Sequence, residues 1–333
     1  MTATELPIPL IDLRGEPGAV ARAIGRACRE VGFFAITGHG VDPAVVDAAW
    51  DSGRTFFGAP LAERMRVAMP EPGYPYGYAP FAGEVLARSL GDATPPDLKE
   101  TFSIGPLAAP PDRPDHGYAD PDQAAVYAPN RWPDVPASFR PAWEAYYRAM
   151  ADLATRLMRL FARALELPTG YFDPFVDRHG SALRMVHYPD LRSGTAVPGQ
   201  LRAGPHTDYG TLTILRQDAA PGGLEVRAAD DRWAPVPYAD DTFVINLGDL
   251  MARWTNDRWR STLHRVVLPP ADAEGSTERF SMPFFHNANW DAGIECLPTC
   301  LDPGEAPRYA PVSAGAHLMS KFRATVVDAT RTE

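Results

Sequence analysis

The chain has 333 residues, of which 45% are hydrophobic and 22% charged, a globular composition that excludes an intrinsically disordered protein. Its 32 basic and 42 acidic side chains give a net charge of −10, which argues against a nucleic-acid partner because phosphate binding needs a basic surface. Three cysteines are too few for a disulfide framework and favour a cytoplasmic location, and we expect neither a signal peptide nor a membrane span.

The first sixty residues predict alternating strands and helices. The stretch 9–13 is typical of a short strand, and apolar residues at helical spacing predict a helix over 16–29. Gly32 ends that helix, and the apolar run 33–36 predicts a buried strand. A second helix is predicted over 43–57.

The stretch 106–136 has the weakest pattern of the chain. It contains eight prolines and little apolar periodicity, which predicts a long surface excursion rather than a linker between domains. Two interpretations stay open, a lid over a site and a plain solvated loop.

A long helix and then a series of strands are predicted for the rest of the chain. Apolar residues repeat every three to four positions over 138–165, which predicts one amphipathic helix. Beyond it, short β-like runs separated by Gly, Pro and Asp predict a sandwich or barrel. The predicted strands cover 183–188, 211–216, 223–227, 242–247, 261–268, 279–285 and 323–327. We therefore expect an α-rich region over 1–180 and a β core over 181–333, forming one compact unit.

A candidate metal site lies in the sequence His206-Thr207-Asp208. Residues i and i+2 of an extended chain point to the same face, so the imidazole and the carboxylate can share one ion. His264, inside another β-like run, is the candidate third ligand. Two histidines and one carboxylate are the ligand set of non-haem Fe(II) oxygenases, although an isolated His-x-Asp pair is more often structural.

A candidate anion site follows fifteen residues later. Arg279 and Ser281 share one face of a predicted strand, and an arginine fork beside a hydroxyl is a good receptor for a carboxylate. On its own, this pattern is more typical of an edge-strand arginine that makes a surface ion pair.

Taken together, these motifs resemble the isopenicillin N synthase-like family of iron- and 2-oxoglutarate-dependent oxygenases. The resemblance runs from about residue 8 to 325. It rests on the ordered motifs IPLIDL (8–13), GFFAITGHGV (32–41), FFGAPLAERM (56–65), NRWP (130–133), LRMVHYP (183–189), HTD (206–208), NLGDLMARWTND (246–257), STLHRVV (261–267) and RFS (279–281).

The resemblance implies a mainly β protein with flanking helices, built on a double-stranded β-helix (jelly-roll) core. It implies Fe(II) held by His206, Asp208 and His264, with 2-oxoglutarate and O2 as cosubstrates. The 2-oxoglutarate would lie on Arg279, Ser281 and Tyr188, and its oxidation to succinate and CO2 would drive attack on an unactivated C–H bond of a small molecule.

Three residues are candidate substrate contacts. Arg184 shares a strand face with Tyr188. Many plant members of the family carry an asparagine that contacts the cosubstrate where this chain has Val186. Arg184 either replaces that contact or reaches the substrate. Phe285 shares the face of Arg279 and Tyr209 follows the His-x-Asp pair; either could equally fill the core.

Two other functions stay open. Isopenicillin N synthase and aminocyclopropane-carboxylate oxidase keep the Arg-x-Ser motif without using 2-oxoglutarate, so an iron-dependent oxidase of this kind is one alternative. The other is a non-catalytic small-molecule-binding module. Amino-acid-derived, nucleobase and specialised-metabolite substrates all remain open. High Ala, Arg and Pro content is typical of GC-rich bacterial genomes, which makes natural-product tailoring one expectation.

Overall fold

A computed structural model of the protein describes residues 8–71, 73–87, 94–109, 118, 120–191, 196–228 and 230–325. Within these residues, no helix is long and apolar enough to cross a membrane. The helices are α1 (Pro17–Glu30), α2 (Pro43–Gly58), α3 (Leu61–Met65), α4 (Pro121–Val126), α5 (Phe139–Ala164), α6 (Asp173–Val176), α7 (Asp249–Trp254) and α8 (Ala314–Thr325).

Two main sheets form the β part of the molecule. The strands are β1 (Leu10–Asp12), β2 (Phe33–Thr37), β3 (Gly77–Ala79), β4 (Glu100–Ile104), β5 (Ala182–Tyr188), β6 (Ala203–His206), β7 (Leu212–Gln217), β8 (Leu224–Arg227), β9 (Trp233–Pro235), β10 (Phe243–Leu247), β11 (His264–Val266), β12 (Arg279–His286), β13 (Gly293–Ile294) and β14 (Val312–Ser313). The large sheet has the order β1-β2-β10-β7-β12-β5-β4-β3 and the small one β6-β11-β8-β9, while β13 and β14 form a separate pair.

Helices cover the outer face of the large sheet. The apolar stripe of α5 is fully buried at Trp143, Met150 and Leu157, and it packs in one core with α1, α2 and the outward side chains of the sheet, including Met185 and Met282. Burial of this stripe is the main reason that the long periodic sequence is helical, because isolated helices gain little from propensity alone.

The inner face of the large sheet packs against the small sheet. Val186 and Tyr188 on β5 share an apolar cluster with Ala203 on β6 and Val266 on β11. A second cluster joins β2 and β10 to β8. Since side chains alternate along a strand, every second residue of β5, β7, β10 and β12 faces this interior, and the polar residues of the site are among them.

Most predicted elements are present, and the exceptions have identifiable causes. The segment 323–325 is helical, as part of α8, so the strand predicted over 323–327 is wrong there; 326 and 327 lie outside the described residues. Strands β3, β6 and β9 were missed because each has only three or four residues, too few to show a period of two. Strand β4 was missed because three of its five buried residues, Glu100, Thr101 and Ser103, are polar and it therefore lacks an apolar run. The excursion over 106–136 contains α4, and positions 110–117 and 119 within it lie outside the described residues.

Gly32 turns the chain from α1 into β2. Its φ of 74° is in the left-handed region that favours glycine, as at many helix C-termini. The backbone carbonyl of Arg260 lies so close that a Cβ at this position would clash with it. The predicted helix end is therefore also the contact that brings β2 beside the segment leading to His264.

Candidate metal centre

Three side chains converge between the two sheets. His206 ends β6, His264 begins β11 opposite it in register, and Asp208 lies two residues beyond the end of β6. Their ligating atoms all lie within 4.8 Å of one another. His264 Nε2 is 3.7 Å from Asp208 Oδ1, and the two imidazole centroids are 4.2 Å apart. The His-x-Asp pair thus converges, although its Asp208 follows the strand instead of lying within it.

Backbone contacts orient both imidazoles. The Nδ1 atom of His206 lies 2.8 Å from the carbonyl oxygen of Gly204, and that of His264 lies 3.1 Å from the carbonyl oxygen of Thr262. A carbonyl only accepts, so each Nδ1 carries the proton and each Nε2 keeps a lone pair for a metal. This is the arrangement that fixes the ring and the tautomer of metal-ligating histidines.

Asp208 is held by two polar side chains on the inner face of the large sheet. The hydroxyl of Thr213 on β7 and the amide of Asn246 on β10 both donate to its Oδ2, the latter at 2.7 Å. Thr213 and Asn246 are direct neighbours in the register of these strands. One carboxylate oxygen is therefore fixed by the protein, which leaves Oδ1 facing the two histidines.

The protonation states of the ligands also suit a cation. Burial, with the neighbouring His264 adding to it, lowers the pKa of His206 to about 3, so this imidazole is neutral near pH 7. Burial acts to raise the pKa of Asp208, but His264, His206 and the hydrogen bonds from Asn246 and Thr213 lower it overall. A neutral imidazole and an ionised carboxylate are the ligand forms that a divalent metal requires.

Two glycines let the loop carrying Asp208 approach the start of α7. The backbone N–H of Asp249 donates to the carbonyl of Asp208 at 2.8 Å, and that of Gly248 donates to Thr211. A Cβ on Gly248 would clash with the backbone of Gly210. The sequence NLGDL therefore places a close backbone contact beside the ligand loop.

The predicted anion-binding residues lie together on the inner face. Arg279 is paired directly with Tyr188 across β12 and β5, and Ser281 lies two residues further along β12. Arg279 is 3% exposed, and its guanidinium donates to Gln217 at 2.8 Å and to Asp218 at 3.1 Å. The fork is thus held in a fixed orientation at a buried position, where its charge is weakly screened.

Arg184 shares the inner face of β5 but is already engaged. Its Nε donates to Ser103 at 2.9 Å, and its Nη1 lies 3.2 Å from both carboxylate oxygens of Glu84. Glu84 in turn pairs with the buried ammonium of Lys99 at 3.2 Å. Sequence reasoning missed Glu84 and Lys99, because neither lies in a motif and Glu84 is 100 residues from Arg184 in the chain.

The other two candidate substrate residues each adjoin a residue of the metal centre or one that holds it. Phe285 is paired with Thr213 across β12 and β7, so it shares the inner face with the residue that holds Asp208. Tyr209 is half-buried, and its ring packs edge-on against Phe322 of α8 with centroids 5.6 Å apart. Both rings are partly accessible, as a substrate contact requires.

The donor set fits the iron implied by the family resemblance. Two imidazoles and one carboxylate, each held in a fixed orientation, form an open-sided set, which leaves positions for further ligands. A structural zinc site would instead need four ligands that close the metal off. The buried Arg279 and Ser281, the predicted carboxylate receptor, lie on the same inner face as the residues that hold Asp208.

Comparisons with known proteins agree with this geometry. Residues 8–135 match the family model described as the N-terminal region of non-haem dioxygenases in morphine synthesis, and residues 179–288 match that of the 2-oxoglutarate-Fe(II) oxygenase superfamily. A 2-oxoglutarate-Fe(II) type oxidoreductase, hxnY of Emericella nidulans, is 32% identical over 95% of this chain and 91% of its own. Validamycin A dioxygenase of Streptomyces hygroscopicus subsp. limoneus is 32% identical over 94% of this chain and 85% of its own.

A solved structure extends the likeness to the whole fold. Thymine 7-hydroxylase of Neurospora crassa, in complex with 2-oxoglutarate and thymine, is 30% identical and superimposes with a TM-score of 0.82. The alignment covers 98% of this chain and 99% of that one. The sequence alone also indicates this likeness. The motifs within residues 183–267, from LRMVHYP to STLHRVV, are similar to those of fungal thymine 7-hydroxylase.

The chain belongs to the 2-oxoglutarate-Fe(II) oxygenase superfamily. It is an oxidoreductase that depends on Fe(II) and 2-oxoglutarate and uses O2, as the resemblance implies. Several relatives, hxnY among them, are named for 2-oxoglutarate, and the Neurospora relative is solved with it bound, so the alternative of an iron oxidase without this cosubstrate is not favoured.

Proposed function

We propose that this enzyme hydroxylates an unactivated C–H bond of a small polar molecule held between the two sheets. The observation that carries the proposal is the convergence of His206, Asp208 and His264 within 4.8 Å, on two paired strands of the small sheet and the loop that follows β6. Bound Fe(II) at these ligands supplies the activation of O2, coupled to oxidation of 2-oxoglutarate to succinate and CO2. The protein residues orient the ligands, the cosubstrate and the substrate.

The proposal includes a particular architecture. The two facing sheets are the halves of a double-stranded β-helix (jelly-roll) core formed mainly by residues 181–333. Residues 1–180 supply the helices on its outer face and extend the large sheet at both edges. Support comes from the sheet order, in which β1 to β4 flank strands of the core.

In the proposed cosubstrate pocket, Arg279 neutralises the distal carboxylate of 2-oxoglutarate, and the hydroxyls of Ser281 and Tyr188 donate hydrogen bonds to it. The support is positional, since the three residues are neighbours on β12 and β5 and all are buried. The 2-oxo acid end would then point along the inner face toward the metal ligands.

In the proposed substrate site, Arg184 offers a guanidinium edge while Tyr209 and Phe285 offer rings. The Nη2 atom of Arg184 has no hydrogen bond within the described residues, whereas Glu84 and Ser103 hold the rest of its fork. A substrate with a carbonyl or carboxylate group and a planar or apolar face would suit these contacts. The thymine complex of the Neurospora relative and the dioxygenase acting in validamycin chemistry support a small polar ring compound.

Succinate release tests this proposal. The Fe(II)-loaded enzyme is incubated with 2-oxoglutarate, O2 and one candidate at a time from panels of nucleobases, amino acids and aminocyclitols. We expect one class to stimulate succinate formation at least tenfold and to gain one oxygen atom by mass spectrometry. His206→Ala is the inactive control. Succinate formation that is equal in wild type and His206→Ala would overturn the metal assignment.

A further inference from the structure

Arg202 is a fully buried arginine with no ion-pair partner among the described residues. It is 0% exposed and immediately precedes β6, the strand that ends in His206. Its Nη1 donates to the carbonyl of Pro221 at 2.9 Å, and its Nη2 donates to the carbonyl of Thr277. Its Nε is buried and has no hydrogen-bond partner in the described part of the chain.

The guanidinium lies beside the proposed cosubstrate pocket. Its carbon atom is 5.8 Å from the centroid of the Tyr188 ring, and Tyr188 is the residue directly opposite Arg279 in the sheet register. The two loops whose carbonyls accept hydrogen bonds from Arg202 also lie beside Arg279. Gly223, in the loop of Pro221, packs against the guanidinium of Arg279, and Thr277 precedes Arg279 by two residues. Two buried arginines therefore adjoin one tyrosine.

The two arginines differ in how their charge is balanced. Arg279 pairs with the carboxylate of Asp218 at 3.1 Å, whereas the contacts of Arg202 are neutral carbonyls and a ring. Burial, and next the positive charge of Arg279, lowers the pKa of Arg202 to about 10, with Asp218 and Asp190 acting against this. Arg202 is thus still a cation near pH 7, and a buried cation without an anion is costly.

An anion bound between the two arginines would offset that cost. We propose that Arg202 is a second cationic residue of the cosubstrate pocket, one that adds to Arg279 in attracting the distal carboxylate of 2-oxoglutarate and holds the Tyr188 ring in place. This inference rests on the proposed function, since it takes Arg279 as the receptor of that carboxylate. It makes Arg202 a positioning residue, which selects a dicarboxylate over a monocarboxylate.

Two ligands and two variants show whether the charge of Arg202 attracts the distal carboxylate or whether Arg202 only supports the local structure. The first ligand is 2-oxoglutarate, and the second is 2-oxopentanoate, which has the same chain length and 2-oxo acid group but no distal carboxylate. Arg202→Gln removes the charge and keeps an amide donor, while Arg202→Lys keeps the charge and loses the planar fork. Affinities are measured by anaerobic calorimetry on the Fe(II)-loaded protein, without turnover.

For Arg202→Gln we expect a loss of at least about tenfold in affinity for 2-oxoglutarate and less than about twofold for 2-oxopentanoate, because charge-assisted contacts are the strong ones. For Arg202→Lys we expect most of the preference for 2-oxoglutarate to remain. Arg216→Gln is the matched control, an arginine stacked on Trp50 at 4.4 Å on the outer face of the same sheet. It should bind both ligands as wild type does.

An equal loss for both ligands, or no loss for either, would overturn the role of Arg202. A folded Lys variant that has lost the preference would overturn it too, and it carries the test if the Gln variant fails to fold. Wild-type protein that binds Fe(II) but neither oxo acid would instead refute the proposed cosubstrate pocket, and the inference about Arg202 with it.

Discussion

Asp208 is the ligand whose orientation depends most on side chains outside the metal centre. It lies beyond the end of β6, so the strand alone does not fix its carboxylate. Thr213 and Asn246 fix it by donating to the same oxygen, from neighbouring positions of β7 and β10. A ligand that is oriented before the metal arrives loses less rotational freedom on binding.

Replacing Asn246 by Ala should weaken Fe(II) binding by about 10- to 100-fold, the usual effect of removing a residue that orients a metal ligand. The loss follows because Asp208 would keep only the hydroxyl of Thr213. Anaerobic titration with Fe(II) measures it, and Thr155→Val, which removes a hydroxyl bonded within α5, is the control. Unchanged Fe(II) affinity in the Asn246 variant would contradict this account of the ligand shell.

The ionisation of Glu84 makes the stability of the protein depend on pH, because Glu84 pairs with Arg184 and Lys99. Burial acts to raise the pKa of Glu84, but the charges of Arg184 and Lys99 outweigh it and lower the pKa from 4.5 to about 2. A carboxylate with a lowered pKa contributes stability above its ordinary pKa of 4.5, and that contribution disappears as the pH falls toward 2.

Glu84→Gln should therefore lower the free energy of unfolding by about 2 kcal/mol near pH 7, with a smaller difference from wild type at pH 4 and below. Urea unfolding at several pH values measures this difference. Glu63→Gln, which breaks an exposed pair with Arg66, should change little at any pH. If the free energy of unfolding that Glu84→Gln loses relative to wild type stays constant or grows as the pH falls, this ion-pair assignment is wrong.

At the scale of elements, α5 links the outer face of the sheet to the N-terminal helices. Its residue Leu157 is fully buried in a core shared with α1, α2 and the large sheet. Leu157→Ala should reduce the free energy of unfolding by about 2–5 kcal/mol through lost burial and the cavity left behind. Arg148→Ala, on the exposed side of the same helix, should cost under about 1 kcal/mol. Equal costs in chemical denaturation would contradict the assigned orientation of α5.

Sequence predicts best the elements that are long enough to show a repeating apolar pattern. Helix α5 and strands β5, β7 and β12 are of this kind. The ligand motifs can also be predicted, because their residues are close together in the sequence. Glu84 and Lys99 could not be predicted, because Glu84 meets Arg184 across 100 residues of sequence and Lys99 joins them only by pairing with Glu84. Arg202 was missed for the same reason, since its partners are backbone carbonyls of distant loops.

At the scale of the whole molecule, the division into residues 1–180 and 181–333 does not follow the sheets. Strands β1 and β2 are joined to β10, and β3 and β4 are joined to β5, so the N-terminal half supplies four of the eight strands of the large sheet. The C-terminal α8 also reaches the ligand loop, because Lys321 pairs with Asp249, which accepts a hydrogen bond from Thr207.

We therefore expect the full chain to unfold in one cooperative transition, and residues 181–333 alone to lack a cooperative transition because half of the large sheet is missing. Scanning calorimetry of the chain and circular dichroism of the fragment measure this. Two separate transitions, together with a fragment that melts cooperatively, would mean that the halves are independent domains.

The measurement that tests the central claim most directly is anaerobic absorption spectroscopy of the metal centre. Fe(II) and then 2-oxoglutarate are added to the protein, and the weak visible charge-transfer absorption of the cosubstrate bound to iron is recorded. We expect this absorption in wild type, none in His206→Ala, and a higher 2-oxoglutarate requirement in Arg279→Ala. Absorption that persists unchanged in His206→Ala, or wild-type protein that binds no Fe(II), would contradict the assignment of the metal centre.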